Sequence, residues 1–185
     1  MAQQKATQRI AFFFSIVLVV VLLLLFGYFR SLSLALQVML NIPLALMGGL
    51  TLTYLLINNI SIATLVGFIA VGGVAARNGI MMISHYLHLM RHEGEGFTKA
   101  MIIRGTLERL VPVLMTALAA GTALIPLLLA AHEPGKEILH PVAVVIVGGL
   151  LSSTMLDILV TPAVFFAFGR RAAAHALQQN APASH

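Results

Sequence analysis

The sequence predicts an all-α membrane protein, a polytopic bundle of five transmembrane helices. Of its 185 residues, 59% are hydrophobic and only 9% are charged, and the mean hydropathy is +0.99. Soluble domains carry roughly 25% charged residues, so the composition excludes a water-soluble enzyme. A helix needs about 20 apolar residues to cross a bilayer, and five stretches reach that length: residues 10–29, 34–57, 62–89, 110–131 and 141–168.

The first span follows Lys5 and Arg9 and so resembles a secretory signal. The apolar region of a signal is only about 7–15 residues long and is followed by a small-residue cleavage site. The run over residues 10–29 is longer, and no such site follows it. We therefore predict a membrane span, preceded by a periplasmic stub over residues 1–9.

The second and third spans carry the glycine pairs Gly48-Gly49 and Gly72-Gly73. Helix surfaces without side chains allow neighbouring helices to approach closely, which favours a packed bundle over isolated anchors. His85, His88 and His92 share one face at the end of the third span. This spacing suits zinc, but no carboxylate or thiolate completes a site, so a solvated interfacial stripe is the preferred interpretation.

Residues 93–109 interleave apolar and charged side chains, which predicts a short helix in the cytoplasmic interface. The fourth span, residues 110–131, and the fifth span, residues 141–168, follow it. Residues 170–185 end in a polar stretch that is typical of a disordered cytoplasmic tail. The sequence contains no cysteine, which excludes disulfides and thiolate metal sites.

The basic residues predict the orientation. Loops on one side of the membrane carry seven of them: Arg30, Arg91, Lys99, Arg104, Arg109, Arg170 and Arg171. Loops on the other side carry three: Lys5, Arg9 and Lys136. Cytoplasmic loops are the more basic ones, so we expect a periplasmic N-terminus and a cytoplasmic C-terminus. The positive net charge then reflects topology and does not indicate nucleic acid.

Two charged residues lie deep inside the predicted spans, Arg77 in the third and Asp157 in the fifth. A guanidinium at that depth costs at least about 2.5–3.5 kcal/mol on insertion scales and usually faces a bundle interior or a water-filled path. Each lies twelve residues from the cytoplasmic end of its span, at Leu89 or Gly169, which makes the two a candidate ion pair. Two alternatives remain open: a purely structural arginine, and a protonated Asp157 bonded to Ser153.

Polar neighbours accompany these charges. Asn78 lies about 100° further round the helix than Arg77, so we expect it to offer a polar group to a different neighbour. Thr116 in the fourth span carries a hydroxyl that can pass protons or bridge helices. Most intramembrane threonines only bond the preceding turn, so this signal is weak by itself.

Four motifs, in this order along the chain, resemble the resistance-nodulation-division (RND) efflux transporters, above all their heavy-metal branch of cobalt/zinc/cadmium and copper/silver exporters. They span residues 41–49, residues 66–79, residues 109–116 and residues 141–149. The resemblance covers residues 6–171. It implies that these five helices are the last five of a twelve-span permease, so that the chain is the C-terminal piece of a pump.

The resemblance further implies a homotrimeric proton antiporter of the bacterial inner membrane. Its partners would be the lipid bilayer, the missing N-terminal half of the permease, a periplasmic adaptor and an outer-membrane channel. No cofactor, resident metal or nucleic acid is expected. The acidic residues of the family's proton relay belong to the missing half, so the chain alone should not transport.

Four residues match relay positions of the family. Arg77 stands where drug-exporting relatives have a lysine, Asn78 matches the asparagine that follows it, Thr116 matches a relay threonine, and Arg109 matches a basic residue at the cytoplasmic mouth. A guanidinium effectively never deprotonates, so Arg77 would act as a fixed positive partner. Asp157 has no counterpart there, and its place in the proton relay rests on its depth alone.

We therefore predict the membrane part of a proton-driven efflux permease that exports heavy-metal cations, a transporter and not an enzyme. Two alternatives stay open. The chain is a non-transporting scaffold or remnant that packs against other subunits through its glycine faces, or it is a fragment of a drug-exporting RND pump.

Overall fold

A computed structural model describes the backbone of residues 2–57, 60–130, 135 and 137–179. Within those ranges the chain forms five α-helices and no strand, and all five helices are long and apolar enough to cross a membrane. The predicted all-α, five-helix architecture is confirmed. The helices are α1 (Ala2–Phe29), α2 (Leu32–Leu56), α3 (Ile62–His92), α4 (Lys99–Leu129) and α5 (Leu139–Gln179).

The largest differences from the predicted boundaries are at the start of α1, the start of α4 and the end of α5. α1 already begins at Ala2, within the expected stub. Residues 99–109 are the first three turns of α4 and not a separate interfacial helix. α4 begins there because Thr98 caps it, accepting a hydrogen bond from the Met101 amide over 3.2 Å. Only the loop over residues 93–98 separates α3 from α4.

α5 continues to Gln179, so most of the expected disordered tail is helical. The reason is the alanine-rich composition of residues 172–179, since alanine has the highest helix propensity. Ala173 is also fully buried in the core at this end of the bundle. Residues 180–185 lie outside the described residues.

Local signals in the sequence account for the ends of α3. Ser61 and Thr64 form a reciprocal capping box at its N-terminus, with bonds of 2.9 and 3.3 Å. At its C-terminus the amides of Glu93 and Glu95 bond the carbonyl of Leu89. Gly94 lies between them at φ +68, a left-handed conformation that glycine adopts without strain.

The core of the bundle consists of α2, α3 and α5, and glycines allow these helices to approach closely. A Cβ atom added to Gly148 would lie 2.8 Å from the backbone oxygen of Gly48. One added to Gly67 would lie 2.8 Å from Cβ of Val145. Gly48-Gly49 is therefore a contact surface between α2 and α5, as the sequence suggested. In the pair Gly72-Gly73, Gly72 lies against Ile42 of α2, whereas Gly73 faces open space.

α1 and α4 lie at the periphery, and most of their apolar side chains are exposed. α4 is anchored at its N-terminal end, where Gly105 packs against Tyr86 and Leu89 of α3. Beyond this anchor a gap between α3 and α4 remains, and it holds most of the predicted site.

Candidate functional site

A cavity of about 120 Å³ lies between α3 and α4. Arg77 and Asn78 from α3 and Arg109 and Thr116 from α4 line it. Arg109 and Thr116 are two helical turns apart, so they share one face of α4. The remaining lining is apolar and comprises Met81, Met82, Pro112 and Val113. The structure thus brings together four of the five predicted site residues.

Arg77 is exposed on the face of α3 that borders this cavity. Every ion pair among the described residues involves Arg104 or His85. Arg77 therefore has no carboxylate partner within the described part of the chain. A permanently charged guanidinium in this position can pair with a carboxylate supplied by another segment.

The two groups from α4 differ in their hydrogen bonding. Arg109 is half-buried, and its Nε atom has no hydrogen-bond acceptor among the described residues. The Thr116 hydroxyl donates to the backbone oxygen of Val113 over 2.9 Å. Its proton is therefore directed into its own helix, while its lone pairs remain able to accept a hydrogen bond.

Asp157 does not line this cavity. It lies on α5 with 1% of its surface exposed, and the polar side chains beside its carboxyl group are those of Asn78 and Ser153. Neither carboxyl oxygen makes a hydrogen bond of normal geometry to a described residue. The expected ion pair between Arg77 and Asp157 is absent from the structure, and so is a formed hydrogen bond to Ser153.

The register of α3 against α5 explains the missing ion pair. Arg77 and Asp157 lie at nearly the same depth, as expected, but Asn78 and not Arg77 faces Asp157. Successive helical residues point about 100° apart, which turns Arg77 toward α4. In each contact that fixes this register, the α5 residue lies 78 or 79 positions after its α3 partner: Gly67 with Val145, Val71 with Gly149, and Tyr86 with Phe165.

Sequence reasoning missed the contribution of α2 to the polar layer around Asp157. Asn41 is buried and donates to the hydroxyl of Thr161 on α5 over 3.2 Å. It lies against Gly79, where an added Cβ would be 2.8 Å from its Nδ2 atom. Gln37, one turn away, is also buried, and neither of its side-chain polar atoms has a partner among the described residues.

A signal for this layer exists in the sequence. Gln37 and Asn41 are four residues apart on α2, and Ser153, Asp157 and Thr161 repeat at the same spacing on α5. Residues four apart lie on one helical face. Two polar stripes within otherwise apolar spans therefore predict that α2 and α5 face each other there.

About two turns further along α3 than Asn78, the hydroxyl of Tyr86 lies 2.7 Å from the hydroxyl of Thr106 on α4. Thr106 donates its only proton to the backbone oxygen of Ile102 over 2.8 Å, so Tyr86 must be the donor in the first bond. Both side chains are buried. The bond from Tyr86 to Thr106 therefore connects α3 to the N-terminal part of α4.

Arg104 forms ion pairs with three glutamates around the loop that joins α3 to α4. Its guanidinium contacts Glu93 at 2.7 Å, Glu108 at 2.8 Å, and Glu95. Glu108 also contacts His85 of α3 at 2.8 Å. These ion pairs connect the loop over residues 93–98 to α4 and connect α4 to α3.

The histidines at the end of α3 do not form the zinc site considered above. His85 is engaged with Glu108, whereas the rings of His88 and His92 stack on each other with centroids 4.4 Å apart. Over residues 2–57, 60–130, 135 and 137–179, no three His, Asp or Glu side chains are grouped closely enough to hold a metal ion.

Comparison with known proteins decides the family. The sequence of the chain matches the AcrB/AcrD/AcrF family over residues 1–169. The chain belongs to this family. Protein HelA of Legionella pneumophila is 42% identical over 91% of the chain. The cobalt-zinc-cadmium resistance protein CzcA of Cupriavidus metallidurans is 40% identical over 88% of the chain. The predicted resemblance is confirmed.

The AcrB/AcrD/AcrF family likeness extends to structure. A solved heavy metal efflux pump superposes with a TM-score of 0.77 and 37% sequence identity over 90% of this chain. A multidrug resistance protein, MdtC of Escherichia coli, is 34% identical over 73% of the chain. The chain spans only 16% of the length of HelA and of the solved pump, so it corresponds to a part of these proteins.

Proposed function

We propose that this chain is the C-terminal membrane part of a proton-antiport RND permease that exports heavy-metal cations, and that it contributes one side of the proton relay. The observation that carries the proposal is the cavity between α3 and α4. Two guanidinium groups, from Arg77 and Arg109, line a single small chamber together with Asn78 and Thr116.

The residues that line the α3–α4 cavity suit the coupling of proton binding to transport. A guanidinium keeps its charge at all working pH values, so Arg77 stabilises an ionised carboxylate that the rest of the permease brings to the cavity. Protonation of that carboxylate removes the attraction and releases Arg77. The helices then change their packing, which is how a local charge change drives alternating access in transporters.

Heavy-metal cations are the preferred substrate because of the relatives. HelA, CzcA and the solved metal pump are 37–42% identical to the chain, whereas MdtC is 34% identical over a shorter stretch. CzcA is named as a cobalt-zinc-cadmium resistance protein. We take these three ions as the substrates to test first.

The expected setting is the bacterial inner membrane, with the N-terminus in the periplasm, because seven basic residues lie on the opposite side. By analogy with its family, the permease would be a homotrimer joined to a periplasmic adaptor and an outer-membrane channel. The large exposed apolar surfaces of α1 and α4 fit contacts with lipid and with the remainder of the permease.

The test is metal efflux by the complete permease in metal-sensitive cells loaded with zinc, cobalt or cadmium. We expect Arg77→Met to reduce efflux to the background of cells without the pump, and Arg77→Lys to retain part of it. Arg91→Met, which removes an exposed arginine at the end of the same helix, is the matched control and should leave efflux intact.

The same assay separates the alternatives. Export of a hydrophobic cationic dye in place of the metals would favour the drug-exporting alternative. A correctly inserted permease that moved neither dye nor metal would favour the non-transporting scaffold. Full metal efflux in the Arg77→Met variant would overturn the role given to the cavity.

A further inference from the structure

The side of α3 that faces away from the α3–α4 cavity holds a polar layer that this relay does not use. It is centred on Asp157, the only aspartate of the chain. Asn78 is its link to the relay, because that side chain both lines the cavity and lies beside the Asp157 carboxyl group.

No cation is available to neutralise Asp157 within the described chain. At this level α2 contributes only the amides of Gln37 and Asn41, and α3 contributes Asn78 and, nearby, the hydroxyl of Tyr86. The arginines of this region lie on the other side of α3, in the cavity. An ionised carboxylate that is buried without a partner is very costly, so such a group binds a proton instead.

We propose that Asp157 is a second proton-binding site, enclosed by α2, α3 and α5, and that Asn78 transmits its state to the cavity. Binding converts the carboxylate to a carboxylic acid and breaks no other covalent bond. The coupling to the cavity rests on the proposed function, whereas the proton binding itself does not.

Asn78 can transmit the state because an amide has a donor end and an acceptor end. When Asp157 is ionised, the NH2 group of Asn78 donates to it, and the amide oxygen faces the cavity, where it can accept from Arg77 or Arg109. When Asp157 is protonated, its O–H donates to the amide oxygen. The NH2 group then faces the two guanidinium groups, so a hydrogen-bond acceptor is lost from the cavity.

Protonation of Asp157 therefore frees the cavity arginines to engage a carboxylate from elsewhere in the permease. The two sites respond to the same proton gradient, and Asn78 makes their states dependent on each other. Such a dependence is reciprocal, since a coupling between two binding equilibria acts equally in both directions.

The test exploits the single aspartate. The 185-residue chain is labelled with 13C at aspartate and 15N at asparagine side chains and placed in lipid nanodiscs. The 13C carboxyl signal then reports Asp157 alone. We expect separate protonated and ionised forms whose ratio changes with pH, and a 13C–15N coupling to a side-chain nitrogen that is stronger in the ionised form.

Asn78→Leu should abolish this coupling and raise the ratio of protonated to ionised Asp157 by about tenfold at a fixed pH, because the ionised carboxylate then lacks the hydrogen bond that we propose Asn78 donates to it. Ser153→Ala should raise the ratio in the same direction, and it provides a second variant if Asn78→Leu fails to fold. Thr154→Val is the control, since that hydroxyl bonds the backbone of Leu150, and it should leave the ratio unchanged.

A 13C carboxyl signal of Asp157 that does not change with pH, throughout the range in which the chain is folded, would overturn the proposal. A ratio that Asn78→Leu and Ser153→Ala both leave unchanged would also overturn it. The coupling step has its own readout in the complete permease, where Asp157→Asn should reduce metal efflux and Glu137→Gln, in an exposed loop, should not.

Failure of one proposal is distinguishable from failure of the other. Normal efflux by Asp157→Asn, together with a titrating Asp157, would leave the proton site in place and overturn its coupling to the cavity. Normal efflux by Arg77→Met would overturn the proposed function without affecting the carboxyl signal of Asp157.

Discussion

The two faces of α3 lie against unpaired groups of opposite kind, a basic group on one face and an acidic group on the other. On one face Arg77 shares an open cavity with Arg109, and no described carboxylate neutralises it. On the other face Asp157 is enclosed and lacks a described cation. An acid and a base at equal depth are therefore kept apart by one helix. Asn78 is the side chain that touches both environments.

The same contrast appears in the packing. Where α5 meets α2 and α3, the contacts at Gly148 and Gly67 leave no room for a Cβ atom, whereas α3 and α4 are separated by the cavity of about 120 Å³. A substitution that adds one carbon should therefore be harmful on the first side and tolerated where a surface is open. The predictions below test this difference, beginning with the largest expected effect.

Gly148→Ala should lower the free energy of unfolding by about 1–3 kcal/mol, the usual cost of overpacking a core. The added methyl group would lie 2.8 Å from the Gly48 carbonyl oxygen, which belongs to the backbone and cannot easily move. Gly73→Ala is the matched control, since its added Cβ would have no described neighbour within 4 Å beyond the backbone of its own helix. Unfolding by denaturant in detergent micelles measures both, and equal losses would contradict the contrast.

Tyr86→Phe should lower the free energy of unfolding by roughly 1 kcal/mol, because it removes one buried hydrogen bond to Thr106. Thr106 keeps its bond to Ile102, so no donor is left unsatisfied. Tyr54→Phe, at an exposed position, should have no measurable effect. A neutral Tyr86→Phe variant would mean that this bond does not tie α3 to α4.

Arg104→Gln should have the smallest effect, confined to the loop over residues 93–98. Arg104, Glu93 and Glu108 are exposed and Glu95 is half-buried, and ion pairs this close to solvent contribute little to global stability. We expect faster amide hydrogen exchange at Glu95 and unchanged exchange in α3. Arg91→Gln, which removes an arginine that pairs with no described carboxylate, is the comparison. Identical exchange in both variants would mean that the Arg104 ion pairs do not stabilise the loop.

Much of the fold could be predicted because hydropathy and chain length determine which segments cross a bilayer. The five spans, their order and the similar depth of Arg77 and Asp157 follow from counting residues along apolar runs. Three residues of the cavity, Arg77, Asn78 and Thr116, were predicted from their polarity within apolar spans, whereas Arg109 was predicted through the family resemblance. Helical periodicity then brings Arg109 and Thr116 onto one face.

The rotation of each helix about its axis could not be predicted in the same way. It depends on contacts between distant residues, such as Gly67 with Val145, that direct Asn78 and not Arg77 toward α5. The extension of α5 to Gln179 differs from the prediction, because the polar ending of the chain is typical of disorder. The alanines that precede that ending favour a helix.

Cysteine cross-linking tests the central claim most directly, since the chain has no native cysteine. A pair of substitutions at Asn78→Cys and Asp157→Cys should be joined rapidly by a short thiol-reactive cross-linker in membranes, because these side chains face each other. The pair Arg77→Cys and Asp157→Cys, at the same depth, should react much more slowly. Faster joining of the Arg77 pair would contradict the separation of acid and base by α3 and restore the direct ion pair.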